Sequence, residues 1–148
     1  MKVIFVDCDG VLNKASDFEV IQDGQDNYFR INTVLASRLV TLVRETEAKL
    51  VLSSSWRKLD GALEFLKVVG LHFLDVTPDF SEKGTKRGYE IQDWLDAHPE
   101  VTKYVIIDDD GDMLDHQRVN FVQTEFDYGL TEGLAYRVGY KLGKVNVD

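Results

Sequence analysis

The stretch VIFVDCDGVLN at residues 3–13 ends an apolar run on two aspartates, Asp7 and Asp9, with one cysteine between them. The apolar residues before Asp7 predict a buried strand. Side chains at positions i and i+2 leave an extended strand on the same side, so we expect Asp7 and Asp9 to point together while Cys8 points away. Two carboxylates that close repel each other unless they share a cation or a proton. Gly10 then permits an unusual backbone turn.

The rest of the chain alternates short apolar runs with segments of helical period, which predicts an α/β fold with a mostly parallel five-stranded sheet. The predicted strands are residues 3–6, 50–52, 71–76, 104–107 and 119–122. The predicted helices carry apolar stripes at Leu35, Leu39, Leu42 and Val43 after an Asn32 or Thr33 cap, at Leu59, Leu63 and Leu66, at Ile91, Trp94 and Leu95, and at Leu134 and Val138 after a Thr131 cap. Such sheets bind ligands beyond the carboxyl ends of their strands, so the polar residues that follow each strand are the candidates for a site.

Hydroxyl and basic residues follow the second and third predicted strands. Ser53 and Ser54 open the run SSSWR, where serines either cap a helix or bind a phosphate at its N-terminus. The stretch SEKGTKRG at residues 81–88 brings three cations to the front of the next helix: Lys83, Lys86 and Arg87. Cations are disfavoured at a helix N-terminus, so a lysine there indicates an anionic partner.

A second acidic cluster follows the fourth strand, in VIIDDDGDM at residues 105–113. Asp108 and Asp109 come directly after three apolar residues. Carboxylates at this density suit Mg²⁺, which takes one or two of them and binds a substrate phosphate. A helix-loop-helix calcium loop is excluded, because it needs its ligands spaced over 12 residues with a glutamate at the end, whereas counting from Asp108 places His116 at position nine and Asn120 at position thirteen. The strand ends together therefore predict a metal and phosphate site at one edge of the sheet.

Composition limits the classes of protein to consider. With 148 residues and 44% hydrophobic residues, we expect one domain spanning residues 1–148. The net charge of −9 argues against indiscriminate binding to nucleic acid, although a few basic contacts suffice to bind an end. No apolar run reaches the roughly 18 residues that span a membrane, and the apolar start is too short for a secretory signal, so we expect a soluble cytoplasmic protein. The single cysteine fits a reducing compartment.

These motifs resemble, in order and over nearly the whole chain, the haloacid dehalogenase (HAD) superfamily of phosphotransferases. The first motif of that family, an apolar strand ending in Asp-x-Asp-Gly, resembles VIFVDCDGVLN, and its fourth motif, an acidic pair after a strand, resembles VIIDDD. For the second motif, a serine or threonine that closes a strand, Ser54 is slightly favoured over Ser53. For the third motif, a lysine, Lys86 and Lys83 both have plausible spacing.

The resemblance implies a role for each of these residues. Asp7 would be the nucleophile that forms an aspartyl-phosphate, and Asp9 would be the general acid and base. Mg²⁺ would lie between Asp7, the backbone carbonyl of Asp9, Asp108 and Asp109. The hydroxyl of Ser54 or Ser53 and the ammonium of Lys86 or Lys83 would hold the phosphoryl oxygens.

The resemblance also bears on the substrate. The gaps between motifs leave room for a short flap at residues 16–31, with a turn at Asp23 and Gly24, but not for a large cap domain, which implies an open site. The runs SSSWR and KRGYEIQDWL resemble small phosphatase domains of phage and bacterial nucleic-acid end-repair proteins. A nucleotide or a polynucleotide 3'-phosphate is therefore a candidate substrate, beside sugar phosphates and phosphoproteins.

Alternative functions differ in how well the sequence fits them. The order of the motifs is wrong for a receiver domain of two-component signalling, and Lys14 stands where a cysteine phosphatase built on Cys8 needs an arginine. A phosphotransferase on the same scaffold and a non-catalytic phosphate-binding module remain alternatives to the phosphatase.

Overall fold

The structure is a computed structural model that describes residues 1–19 and 29–143. Five parallel strands form one sheet in the order β3-β2-β1-β4-β5, which confirms the predicted α/β fold. The strands are β1 (Lys2–Val6), β2 (Lys49–Leu52), β3 (Phe73–Val76), β4 (Lys103–Asp108) and β5 (Phe121–Gln123). The helices are α1 (Thr33–Thr46), α2 (Ala62–Val68), α3 (Arg87–Asp96) and α4 (Glu132–Leu142).

Helices cover the sheet on both faces. Successive side chains of β1 point to opposite faces and pack in two separate cores. Ile4 and Val6 belong to a core that includes residues of α1, α2 and α4. Val3 and Phe5 belong to the other core, where Ile91 and Trp94 of α3 pack. The structure therefore has the three layers of a Rossmann-like fold.

The predicted caps of the first and last helices are confirmed. The Asn32 side chain accepts hydrogen bonds from the N–H groups of Val34 and Leu35, and Thr131 accepts one from Leu134. These bonds satisfy N–H groups that have no partner inside the helix.

Two strand predictions began too early. β3 starts at Phe73 rather than at residue 71, because Leu71 still donates its N–H to the carbonyl of Leu66 at the end of α2. β5 starts at Phe121 rather than at residue 119, because a 3-10 helix (Asp115–Asn120) occupies the preceding residues. Of the predicted flap at residues 16–31, the structure describes residues 16–19, at the end of a 3-10 helix (Ala15–Phe18), and residues 29–31. The predicted turn at residues 23–24 lies outside the described residues.

Candidate active site

The strand ends predicted to carry a site do meet at one edge of the sheet. The hydrogen-bond ladder continues past three strands: the N–H of Asp7 donates to Ile107 O at 3.1 Å, that of Ser53 to Val6 O at 2.9 Å, and that of Thr124 to Asp108 O at 2.9 Å. Backbone hydrogen bonds therefore hold these residues in fixed positions relative to each other.

Three of the predicted metal ligands form an acidic cluster. Asp7, Asp108 and Asp109 each offer a carboxylate oxygen, and these atoms lie within 4.8 Å of one another. Phe5 and Ile106 pack in the core beneath α3, and alternation along each strand places Asp7 and Asp108 two residues further on that same face. The cluster thus lies at the N-terminal end of α3.

The first residue of α3, Arg87, supplies a positive charge to this cluster. Its Nη1 lies 3.2 Å from Asp7 Oδ1 and 3.2 Å from Asp108 Oδ2, and it donates a hydrogen bond to Ser53 O at 2.7 Å. One guanidinium nitrogen therefore contacts residues at the ends of β1, β2 and β4. The carboxylate of Asp112 accepts the backbone N–H of Arg87 at 3.1 Å and so fixes the start of the helix.

One guanidinium does not offset the cost of burying these carboxylates. Burial raises the pKa of Asp7 to about 6, although the charge of Arg87 lowers it. Burial and, to a smaller extent, the negative charge of Asp7 raise the pKa of Asp108 to about 9, although Arg87 lowers it. Because the ionised forms of both carboxyl groups remain disfavoured, a second positive charge beside Arg87 would stabilise the ionised cluster.

Gly10 brings the loop after β1 against the second acidic segment. Its φ is +79°, and a Cβ added there would lie 2.4 Å from Asp109 Oδ2. The carbonyl of Gly10 accepts a hydrogen bond of 2.7 Å from the hydroxyl of Thr124. The turn predicted at this glycine is therefore present, and it also allows the close approach of Asp109.

Asp9 has neighbours different from those of Asp7. Its Oδ1 accepts a hydrogen bond from Asn13 Nδ2 at 2.9 Å, and its Oδ2 accepts one from the indole Nε1 of Trp56 at 3.3 Å. The Asn13 side chain is itself held in place, because its Oδ1 accepts the N–H of Gly10 at 2.8 Å. Two neutral donors thus orient the half-buried carboxylate of Asp9, whereas Arg87 contacts Asp7.

The two candidate serines are both buried but differ in their contacts. The Ser54 hydroxyl accepts the N–H of Trp56 at 3.2 Å, and it is close enough to Asp7 to lower the pKa of that carboxyl slightly. The Ser53 hydroxyl is buried with no hydrogen-bond partner among the described residues. A buried hydroxyl without a partner is costly, and an incoming oxygen atom would relieve that cost.

Comparison with known proteins identifies the family. A family model described as the HAD domain in Swiss Army Knife RNA repair proteins matches residues 3–135. The chain belongs to this family. No curated protein and no solved structure matches it. The match confirms the resemblance drawn from the sequence, both to the HAD superfamily and to domains of nucleic-acid repair proteins, and its range includes all the site residues described above.

In this HAD domain the predicted lysines lie outside the acidic cluster. Lys83 and Lys86 are both exposed, and the Lys83 ammonium lies 5.0 Å from the centroid of the Phe80 ring. Among the described residues, the cation in contact with Asp7 is Arg87, which the motif spacing did not predict as a site residue. Helical spacing could have identified it, because Arg87, Ile91 and Trp94 fall at i, i+4 and i+7 on one face of α3.

A buried ion pair, also missed from the sequence, supports the serine loop of the HAD domain. Arg57 donates from Nη1 to Ser54 O at 2.8 Å and from Nη2 to Glu90 Oε2 at 2.9 Å. Glu90 also accepts the N–H of Phe80 at 2.7 Å. Since Glu90 lies one turn after Arg87 on α3, this pair fixes the serine loop relative to the helix that carries Arg87. None of the described helices of the domain is long and apolar enough to cross a membrane.

Proposed function

We propose that this HAD domain is a Mg²⁺-dependent phosphomonoesterase that removes the 3'-phosphate from a nucleic-acid end. The observation that carries the proposal is the acidic cluster of Asp7, Asp108 and Asp109 in contact with Arg87, at the edge of the sheet where the two acidic motifs of the family meet. The family is described as a domain of RNA repair proteins, which supports a nucleic acid as the substrate and makes RNA the first candidate.

The donor set of the cluster fits Mg²⁺, which prefers carboxylate oxygens, keeps several waters and binds substrate phosphates. We propose that Asp7, Asp108 and Asp109 hold the ion, together with the backbone carbonyl of Asp9. The raised pKa values of Asp7 and Asp108 support a second cation there, because burial and mutual repulsion are the effects a divalent ion would counter. Bound Mg²⁺ supplies positive charge that keeps the carboxylates ionised and neutralises charge on the phosphoryl oxygens.

The chain's own residues then carry the two displacements. A carboxylate oxygen of Asp7 forms a bond to phosphorus while the bond from phosphorus to the leaving oxygen breaks, and Asp9 gives its proton to that oxygen. Asp9 afterwards takes a proton from the water that attacks the aspartyl-phosphate, which releases inorganic phosphate and regenerates Asp7. The hydrogen bonds from Asn13 and Trp56 hold Asp9 in one orientation for both proton transfers.

Several donors around Asp7 suit a transferring phosphoryl group. We assign the cationic role of the third family motif to Arg87, because a guanidinium has five N–H donors and can contact the carboxylates and phosphoryl oxygens together. The hydroxyls of Ser53 and Ser54 supply further donors. Lys83 and Lys86 are exposed in the segment leading to α3, and we propose that they contact the substrate from outside the cluster. Such positioning and charge stabilisation account for most of the catalysis in phosphoryl transfer.

The test is phosphate release from p-nitrophenyl phosphate, nucleoside monophosphates and a 3'-phosphorylated oligoribonucleotide, each with Mg²⁺ or EDTA. We expect Mg²⁺-dependent release that Asp7→Asn abolishes with the fold intact. The matched control is Asp110→Asn, which removes an exposed carboxylate from the same acidic run. Asp9→Asn should form the aspartyl-phosphate from a good leaving group and hydrolyse it slowly. Normal turnover by Asp7→Asn, or release that EDTA does not reduce, would refute the mechanism.

A further inference from the structure

Three side chains form a stack in the loops at the active-site edge. The guanidinium carbon of Arg30 lies 5.2 Å from the centroid of the Phe18 ring, and the Phe18 ring stacks on Phe126 with centroids 5.6 Å apart and an interplanar angle of 25°. Phe126 is 42% exposed, whereas Phe18 is half-buried. The stack therefore ends in an aromatic ring that is open to solvent.

The backbone ties this stack to the loops that carry the acidic cluster. Phe126 lies two residues after Thr124, whose N–H donates to Asp108 O and whose hydroxyl donates to Gly10 O. The carbonyl of Phe126 accepts the N–H of Ala15 at 3.0 Å, at the start of the 3-10 helix that carries Phe18. These hydrogen bonds fix the backbone that carries Phe126 relative to both acidic motifs.

Arg30 gives the stack a positive charge and connects it to Asp9. The Arg30 guanidinium donates to Asp17 O at 3.1 Å, and its backbone carbonyl accepts a hydrogen bond of 2.9 Å from Asn13 Nδ2. The same Asn13 amide group donates to the carboxylate of Asp9. A positive charge on a chain with a net charge of −9 is suited to the phosphodiester of an anionic substrate.

We propose that the exposed face of Phe126 stacks on the base of the nucleotide that carries the terminal phosphate, while Arg30 contacts the adjoining backbone phosphate. The occupant is an unpaired RNA end, and this inference rests on the proposed function. Every nucleobase has a π face, so stacking on an aromatic ring binds an end without selecting its sequence, as a repair enzyme requires. The charge of Arg30 complements the phosphodiester, and the stack is continuous with the loops of the phosphate site.

The test compares two oligoribonucleotides with the same 3'-phosphate, one with a base on the terminal nucleotide and one abasic there. Stacking of one base on an aromatic side chain contributes roughly fivefold to 150-fold in binding. We therefore expect kcat/KM to favour the substrate with the base by a factor in this range, mainly through KM. Phe126→Leu should bring that ratio close to one, and Phe126→Trp should preserve it.

The control variant is Tyr140→Leu, which removes a 78% exposed aromatic ring from the last turns of α4. That end of α4 lies near the opposite edge of the sheet, where Lys2 at the start of β1 donates to Gly143 O. Tyr140→Leu should leave the ratio as in the unmodified protein. If the abasic substrate is hydrolysed as well as the complete one, the stacking proposal is wrong and the phosphatase proposal stands.

A binding measurement tests the stack independently of turnover. A 3'-phosphorylated oligoribonucleotide with 2-aminopurine at its terminal position is titrated with the Asp7→Asn protein and Mg²⁺. Stacking on Phe126 should quench the fluorescence, and the Phe126→Leu substitution added to this protein should remove the quenching. Unchanged fluorescence with the Asp7→Asn protein would overturn the proposal. Failure of the phosphatase proposal would appear differently, as no phosphate release from any substrate by the unmodified protein.

Discussion

Glu90→Ala tests whether the buried ion pair supports the serine loop. The side chains of Arg57 and Glu90 are each 6% exposed, and Glu90 Oε2 accepts both the Arg57 guanidinium and the N–H of Phe80. Removing Glu90 leaves that N–H without its acceptor and leaves the buried charge of Arg57 with one carboxylate partner, Asp79, at 3.3 Å. The variant should therefore be destabilised by considerably more than the loss of one surface contact.

The size of the loss follows from the burial of the pair. Removing one partner of a buried ion pair costs about 3–5 kcal/mol, because the other charge remains buried. Asp79 is 30% exposed and compensates Arg57 in part, so we expect the lower end, about 3 kcal/mol. With a urea m-value of about 2 kcal/mol/M, the midpoint of unfolding should fall by about 1.5 M.

Urea unfolding followed by circular dichroism measures this shift, with Glu132→Ala as the control. Glu132 is 88% exposed and lies 3.9 Å from Arg38, so its loss should change the free energy of unfolding by at most about 0.5 kcal/mol. A loss below about 1 kcal/mol in Glu90→Ala would refute the reasoning. The double variant Arg57→Met/Glu90→Leu should recover part of the stability, because it leaves no unpaired charge. Its activity should be lower than that of Glu90→Ala, since replacing Arg57 removes the donor to Ser54 O.

Three further predictions concern the site itself. Trp56→Phe removes the indole N–H that donates to Asp9 Oδ2, so kcat should fall by about tenfold, which is the order expected for one lost hydrogen bond. The pH dependence of Mg²⁺ binding should stay unchanged. An unaltered kcat would contradict the orienting role of Trp56. Gly10→Ala places a Cβ against Asp109 and puts a side chain at a φ of +79°, so the protein should lose stability. It should also bind Mg²⁺ more weakly in calorimetry. Equal Mg²⁺ affinity would contradict the claim that Gly10 is needed for the close approach of Asp109. Burial raises the pKa of Asp108 to about 9. The metal-free folded chain therefore keeps a proton that the unfolded chain releases near pH 4, and stability falls as pH rises between these values. In EDTA, the melting temperature of Asp108→Asn should exceed that of the unmodified protein by more at pH 8 than at pH 5, and a constant difference would contradict this.

The strand ends could be predicted from the sequence to within one residue, because the hydrophobic pattern indicates where each strand stops being buried. Parallel strands then bring Asp7 and Asp108 to one edge, which is the arrangement that the structure has. The starts of β3 and β5 could not be predicted, because apolar residues such as Leu71 and Val119 fit a strand and a turn equally well in a local pattern. Leu71 is held by the end of α2, and Val119 lies in a 3-10 helix.

The spacing between the family motifs could not decide which cation belongs to the site, whereas the helical period of α3 could have done so. Lys86 and Arg87 are adjacent, and only the orientation of α3 decides which side chain faces the sheet. The helix begins at Arg87, with Lys86 as its exposed N-cap residue, so Arg87 continues the buried face of Ile91 and Trp94. A charged residue on a buried helix face is uncommon, and here it indicates an acidic partner on the adjoining strands.

The two aspartates of the first motif, for which we propose different roles, lie in different environments. Asp7 lies beside the Arg87 guanidinium and two further carboxylates, an environment in which a bound cation favours an ionised nucleophile. Asp9 has instead two neutral donors, Asn13 and Trp56, which orient a carboxyl group without adding a positive charge. In the proposed mechanism the Asp9 carboxyl gives a proton and later takes one, and these two hydrogen bonds keep it in one orientation for both transfers. Asp7 and Asp9 are only two residues apart, and the chain passes from one environment to the other just before the turn at Gly10.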